Sequence, residues 1–332
     1  MSDLDTTAPT ATGDLPPTPE DTISARATRA GDRVFKSITV IAGSVVLGLM
    51  AAIALFLVIK AIPALGKDTT NFFTTSVWLP DETKSTFGIA ALLFHTLVTS
   101  VLAMIIAVPV AIGVALCVTY YAPRRIASGL GYLVDLLAAV PSIVYGLFGV
   151  TLLAPHLTGL VGWLDKYLGW TVIFHYRPDN TPSNLSDFTA GIVLAVMILP
   201  IVSSISREVF RQVPRDHIEA ALALGATRWE MIRTSVLPDG RSGVVSASIL
   251  GLGRALGETL AVTLILASVY NINPHITENG GITFASNIAL KYGEAGTIGS
   301  GALIASGLCL FIITLVVNFG AQIIVRRGTV RA

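Results

Sequence analysis

Charge is scarce in this chain. Asp, Glu, Lys and Arg make up 13% of its 332 residues, whereas a soluble globular domain carries about 25%. The shortfall excludes a water-facing surface over much of the chain and points to lipid as its solvent. Net charge is +1 at pH 7, so there is no global basic field to hold nucleic acid. Cysteine is nearly absent. Cys117 and Cys309 both lie in apolar runs, which argues against a disulfide framework and reads as two small buried residues.

Nucleotide and metal chemistry is missing too. Ala64-Leu65-Gly66-Lys67-Asp68 has the look of a P-loop end. It lacks the upstream glycine, and Asp68 stands where Ser or Thr must reach magnesium. The glycines of Gly251-Leu252-Gly253-Arg254-Ala255-Leu256-Gly257 have the wrong spacing for a dinucleotide fingerprint and lie in an apolar run. Histidines occur at 95, 156, 175, 217 and 275, without metal-type spacing. No nucleophile–base constellation supports an intramembrane hydrolase. Uphill movement of a solute would draw its energy from another chain or from an ion gradient. No cofactor is expected on this chain.

What the chain has instead is long apolar runs, 53% of residues being hydrophobic. A bilayer-crossing helix needs about 20 apolar residues. Six stretches qualify, at about 38–62, 92–119, 131–155, 188–206, 243–270 and 298–325. The predicted fold is all-α and polytopic, with about six transmembrane helices. Pro141 and nearby glycines break or kink the third stretch, which is tolerated where neighbours satisfy the freed backbone. Residues 1–36 are rich in Thr, Pro, Ala and acids and read as a disordered tail without signal-peptide features. Residues 37–326 form the membrane domain, and 327–332 a second tail.

Placing both ends in the cytoplasm puts fifteen of the 22 basic residues on that side and six outside, with Arg254 alone inside a span. The cytoplasmic set includes Arg26, Arg29, Arg33, Lys36, Arg124, Arg125, Arg326, Arg327, Arg331 and six arginines between 207 and 241. The positive-inside rule therefore sets both termini and the 207–241 loop in the cytoplasm. The outside loops, about 63–91, 156–187 and 271–297, contain Trp78, Trp163, Trp170, His156, His175 and Tyr176. They serve as interfacial aromatic anchors or as a docking rim for a partner.

The 207–241 loop reads EAALALGATRWEMIRTSVLP over residues 219–238. Pro214 suits the first turn of a helix and Pro238 stops another. Asp216 and Glu219 lie near a helix amino end, where the dipole favours them. Ala220, Ala221, Ala223 and Ala226 leave a slim surface, and Gly225 permits a sharp bend. The result is a two-helix knob suited to a groove on another protein.

Arg254 lies about eleven residues into its span, and Glu258 follows at i+4. On a continuous helix both share one face, and ionisable groups at that depth face a bundle interior or a wet path. They form either a self-neutralising structural pair or a gate for an anion. A guanidinium fork matches phosphate oxygens. A carboxylate can accept a hydrogen bond from the P–OH that phosphate keeps at neutral pH and sulfate lacks. Gly251, Gly253 and Gly257 read as close helix packing around the pair, compatible with a seam between two subunits.

Residues Glu219, Ala220, Ala221, Gly225, Leu237 and Pro238 resemble the EAA signature of ABC importer permeases. Where that pattern often has Ile, this chain has Ser235. The runs GLGRALGETLAV (251–262), AAVPSIVYGLFG (138–149), NFFTTSVW (71–78) and FHTLVTSVLAMIIAVPVAIGVAL (94–116) are similar to phosphate-specific ABC importer permeases of the PstC type. The resemblance covers about residues 38–325. It implies the type I ABC importer permease fold, in the bacterial cytoplasmic (inner) membrane. It implies a heterodimer with a second permease (PstA), two copies of an ATPase (PstB) holding ATP and magnesium, and an external phosphate-binding protein (PstS). Arg254 and Glu258 match an intramembrane pair implied to matter for transport of inorganic phosphate. Glu219, Ala220, Ala221 and Gly225 match the coupling helix. Pro141, Ser142 and Tyr145 match a family run, but a helix break explains them equally well. Rival readings are an ABC permease for molybdate, sulfate or phosphonate, and an ion-coupled secondary transporter. The EAA-like loop and the lack of an obvious inverted repeat argue against the latter.

Overall fold

The computed structural model describes residues 30–175 and 185–329. Tyr176, Arg177, the basic residues Arg26, Arg29 and Arg331, and residues 1–29 of the expected tail lie outside them. The chain divides into two units, 1–55 and 56–332. Helix α1, Ala30–Leu65, begins ahead of the expected boundary at residue 36. In the first unit its apolar side chains are exposed on every face, among them Ile41, Leu47 and Leu55. A helix apolar all round belongs in lipid or against another membrane protein.

The second unit is built on α2 (Ala90–Leu116), α6 (Asp187–Arg211) and α9 (Leu237–Leu256). Ala103, Ala107, Ala111 and Ala115 recur every fourth residue along α2 and are fully buried. Alanines at that spacing make one smooth helix face, so α6 and α9 approach closely. Glycines continue the scheme. A methyl group on Gly191 would meet Leu102, and one on Gly251 would meet Val202 at 2.8 Å. Gly253 has nothing within 4 Å of that position, and Gly257 has only ordinary contact. The packing role expected of three glycines thus holds at Gly251 alone.

Among the described residues, five helices are long and apolar enough to span a membrane, at Val34–Leu65, Ala90–Tyr121, Ser142–Leu168, Asp187–Arg211 and Thr297–Ile323. The third differs from expectation. Helix α3 (Arg124–Ala138) ends before Pro141, and the chain restarts as α4 (Ser142–Phe148), a π-turn and α5 (Ala154–Leu168). The break at Pro141 was legible, since proline biases the residue before it away from helix. The restarted helix runs on to Leu168, so Trp163 and His156 are helical rather than in a loop. The fifth stretch, 243–270, is not one helix. After α9 the chain turns at Gly257 and resumes as the short α10, Leu260–Ile265.

Segments at the end away from residues 212–236 are ordered by specific contacts. Strands β1 (Trp78–Leu79) and β2 (Thr86–Phe87) form a small hairpin. Trp78 is buried, stacked on Tyr270 and edge-on to Phe87, so it is core rather than anchor or rim. Trp163 and Trp170 remain exposed. Burial pushes the Tyr270 phenol up to about 12, and its hydroxyl donates to Asn287 Oδ1 of α11 (Phe284–Lys291) at 2.7 Å. Asp81 accepts the Gly296 and Gly299 N–H groups at 2.8 Å each, capping α12, Thr297–Thr329. Cys309 is half-buried, but Cys117 is exposed, because it lies off the alanine face of α2.

Candidate functional site

Arg254 lies in the last turn of α9, where the helix dipole favours a cation. Its side chain is exposed and borders an open cleft of about 540 Å³ between α9 and α12. Ser246, Leu250 and Gly253 of α9 and Asn318 and Gln322 of α12 line the same cleft. No carboxylate lies within 4 Å of the guanidinium among the described residues.

Glu258 is elsewhere. The Gly257 and Glu258 N–H groups fold back onto Gly253 and Ala255 carbonyls, closing α9. Glu258 Oε1 then accepts the Ala261 N–H at 3.3 Å, at the start of α10. The shared helical face expected for Arg254 and Glu258 therefore fails, because the helix ends between them. The self-neutralising pair falls with it.

A second open cavity, of about 280 Å³, sits at the other end of α12. Asp81, Glu82 and Glu294 line it with one cation, Lys291, already 3.5 Å from Glu294. Three carboxylates against one paired lysine repel an anion. Of these two cavities, only the Arg254 cleft suits an oxyanion.

The charged loop forms the expected knob. Helix α7, Arg215–Ala223, follows Pro214, and α8, Arg228–Met231, follows a turn at Gly225. Gly225 has φ +84°, a left-handed conformation that favours glycine. Glu219 and Ala220 are exposed, while Ala221 packs against a buried cluster of Leu116, Phe210, Met231 and Ile232. Helix α8 carries a full capping box. Thr227 Oγ1 accepts the Glu230 N–H, and Glu230 Oε2 accepts from the Thr227 N–H and hydroxyl at 2.8 Å. Those two donors hold the Glu230 carboxyl below the usual range. Pro238 does not stop a helix. The chain passes through a π-turn, Ile232–Val236, straight into α9, with Pro238 in its first turn. Proline is tolerated there because its missing N–H has no partner to lose.

Two features of this knob escaped sequence reasoning. Leu222, Leu224 and Trp229 stand exposed around the bend, Leu224 at 90%. Apolar side chains beside a turn glycine in a charged loop were the available signal. His217 Nδ1 meets Asp239 Oδ2 at 2.7 Å, tying α7 to the start of α9. Ser235 Oγ donates to the His217 carbonyl at 3.4 Å, a use for the residue that departs from the signature.

At the opposite end lies a buried pair that sequence reasoning passed over. His95 Nδ1 is 2.7 Å from Asp187 Oδ2, and Nε2 is 2.9 Å from the Asn271 carbonyl. Both side chains are buried. The Gly281 N–H also points at Nδ1, at 3.1 Å. A methyl group on Gly281 would collide with the imidazole. Together they pin the 266–283 segment onto α2 and α6.

The family model for the binding-protein-dependent transport system inner membrane component matches residues 107–329. The chain belongs to that family. Within it, the chain is 48% identical over 304 residues to the phosphate transport system permease protein PstC 2 of Mycobacterium tuberculosis and of Mycobacterium bovis, covering 91% of this chain and 94% of each relative. It is 47% identical to the PstC of Mycobacterium leprae, covering 93% and 98%. Among solved structures, the inward facing MetNI methionine ABC transporter is similar at 19% identity and TM-score 0.48, covering 73% of this chain and 94% of that one. Membership of the family makes the chain a multi-pass ABC transporter permease of the PstC type, the membrane part that works with an ATPase and a binding protein.

Proposed function

We propose that this permease carries inorganic phosphate inward across the bacterial cytoplasmic membrane, driven by ATP hydrolysed on a partner. The observation that carries the reading is the Arg254 guanidinium, which pairs with no carboxylate among the described residues and borders an open cleft of mixed polar and apolar lining between α9 and α12. Relatives named for phosphate transport, aligned over nine-tenths of the chain, support the choice of anion. The chain supplies the path and no ATPase site. Two PstB-type ATPases holding ATP and magnesium, a PstA-type second permease and a PstS-type binding protein complete the assembly. Both termini and the 212–236 knob face the cytoplasm.

In this reading the loaded binding protein docks outside and ATP draws the ATPases together. Glu219, Ala220, Ala221 and Gly225 shape the surface the ATPase grips, with Leu222, Leu224 and Trp229 as apolar contacts. Movement of α7 passes through the His217–Asp239 contact to α9, which carries Arg254. The permease opens outward, phosphate crosses the Arg254 cleft, and hydrolysis restores the inward state. Each ligand acts by binding one of the two states better. Glu258 acts through the α10 start, positioning the turn beside Arg254 instead of touching the anion.

The test is uptake of labelled phosphate into proteoliposomes holding both permeases, the ATPase and the binding protein, with sulfate and molybdate as competitors. ATP-dependent uptake that resists both competitors is expected. ATP-driven uptake of a competitor without phosphate uptake would keep the architecture and overturn the substrate. Uptake driven by membrane potential without ATP would overturn the ATPase coupling.

A further inference from the structure

The run AAVPSIVYGLFG, residues 138–149, breaks the chain between α3 and α4 at Pro141. Such a break frees a carbonyl. Pro141 has no N–H to return to Leu137, four residues back. The Val140 N–H reaches that carbonyl only at 3.3 Å. Tyr145 of α4 takes the place of the missing donor, its hydroxyl donating to the Leu137 carbonyl at 2.7 Å. One side chain therefore staples α3 to α4 across the break, where an unpaired carbonyl away from water is expensive. The staple sits beside Arg254. Tyr145 is buried in one cluster with Ala255, the residue after Arg254, and with Ala261 and Val262 of α10. Its hydroxyl is within electrostatic reach of the Arg254 guanidinium. Gly146, next in the chain, lets α4 lie directly on α10. A methyl group there would stand 2.8 Å from the Ala261 Cα and 3.0 Å from Leu264 Cδ1. Helix α4 thus backs the turn at Gly257 that ends α9, and Arg254 lies in the last turn before it.

We propose that Tyr145 is a positioning residue for transport, closing the Pro141 break with its hydroxyl and so holding α4, α10 and the end of α9 in the arrangement that stands Arg254 in the cleft. The inference rests on the reading that the anion crosses the Arg254 cleft. Tyr145 is not among the residues that line that cleft, so it acts through Arg254 and not on the anion. The need for it is physical. A long side chain in a helix's last turn is held only as firmly as that turn. A binding group works when its supporting shell fixes it to within a fraction of an ångström. Glu258 secures the α10 start from within, and α4 secures α10 from behind. A phenylalanine at 145 would fill the same space but leave the Leu137 carbonyl without its short hydrogen bond. The break would then be free to bend, and α4 free to shift against α10.

Two measurements in the full reconstituted complex test this. Tyr145→Phe removes one oxygen and keeps the ring. Phosphate imported per ATP hydrolysed is expected to fall about fivefold, the weight of one hydrogen bond, while stimulation of the ATPase by loaded binding protein is retained. In an Arg254→Ala background the same substitution is expected to cost little more, because the residue it positions is gone. Wild-type import per ATP by Tyr145→Phe, or an equal fall in both backgrounds, would overturn the assignment. The second measurement follows Arg254 itself. In a Cys117→Ala, Cys309→Ala background, Gly253→Cys puts a thiol in the cleft, at a position with open space for a side chain. An anionic methanethiosulfonate is expected to label it faster than a cationic one, and Tyr145→Phe to shrink that bias. A bias unchanged by Tyr145→Phe would show a merely structural hydroxyl and overturn the assignment. If Tyr145→Phe fails to assemble, Gly146→Ala disturbs the same joint, with a shrunken bias expected and an unchanged one overturning it. Full-rate import by Arg254→Ala would instead remove the pathway reading beneath, so the two failures are distinguishable.

Discussion

Arg254 was legible in the sequence because a lone charge in an apolar run has to be accounted for. Its relation to Glu258 was not legible. Spacing of i and i+4 implies a shared face only while the helix continues, and Gly257 ends it. His95 and Asp187 were invisible for another reason. They are separated by 92 positions, and only the packing of α2 on α6 joins them. Removing one partner of such a buried pair leaves the other uncompensated, at a cost of about 3–5 kcal/mol. Replacing both with apolar residues costs less. In a double-mutant cycle of thermal unfolding in detergent, His95→Leu and Asp187→Leu should each lower stability more than the double variant does. Additive losses would mean that the two side chains act independently.

Helices read from apolar length were found where the runs were uninterrupted. The discrepancies cluster at special backbone. The 243–270 run broke at Gly257, and Pro238 proved to be a helix start because a π-turn feeds α9. Gly225 was read correctly, since a bend between two short helices needs its positive φ. The capping box of α8 carries a pH dependence. The Glu230 carboxyl sits below its usual value because Thr227 donates to it twice. Its contribution to loop order is therefore complete above the ordinary glutamate value of about 4.3. It is lost as pH falls through the lower folded value. Amide hydrogen exchange across residues 227–236, corrected for intrinsic rates, should show protection declining only below about pH 4. Glu230→Ala should show the low-pH behaviour at neutral pH. Unchanged protection in that variant would remove the cap from the account.

In the molecule as a whole, apolar surface stands exposed on several helices. Ile105, Tyr132, Leu133, Leu147 and Leu250 are each more than half exposed. Composition alone required lipid around the chain, and family membership supplies a protein assembly as well. Which exposed faces meet lipid and which meet a second permease is not encoded in apolar periodicity, since both surroundings select the same residues. Cleft and knob lie on elements joined in sequence, α7 through α9, so a push on one reaches the other through a short path. The most direct measurement is phosphate imported per ATP hydrolysed by Arg254→Ala in the reconstituted complex. Loss of one charged hydrogen-bond donor set predicts a fall of about tenfold to a hundredfold, with ATPase stimulation intact and Arg254→Lys intermediate. A wild-type ratio in Arg254→Ala would contradict the account, because the anion would then cross without the one cation that lines the cleft among the described residues.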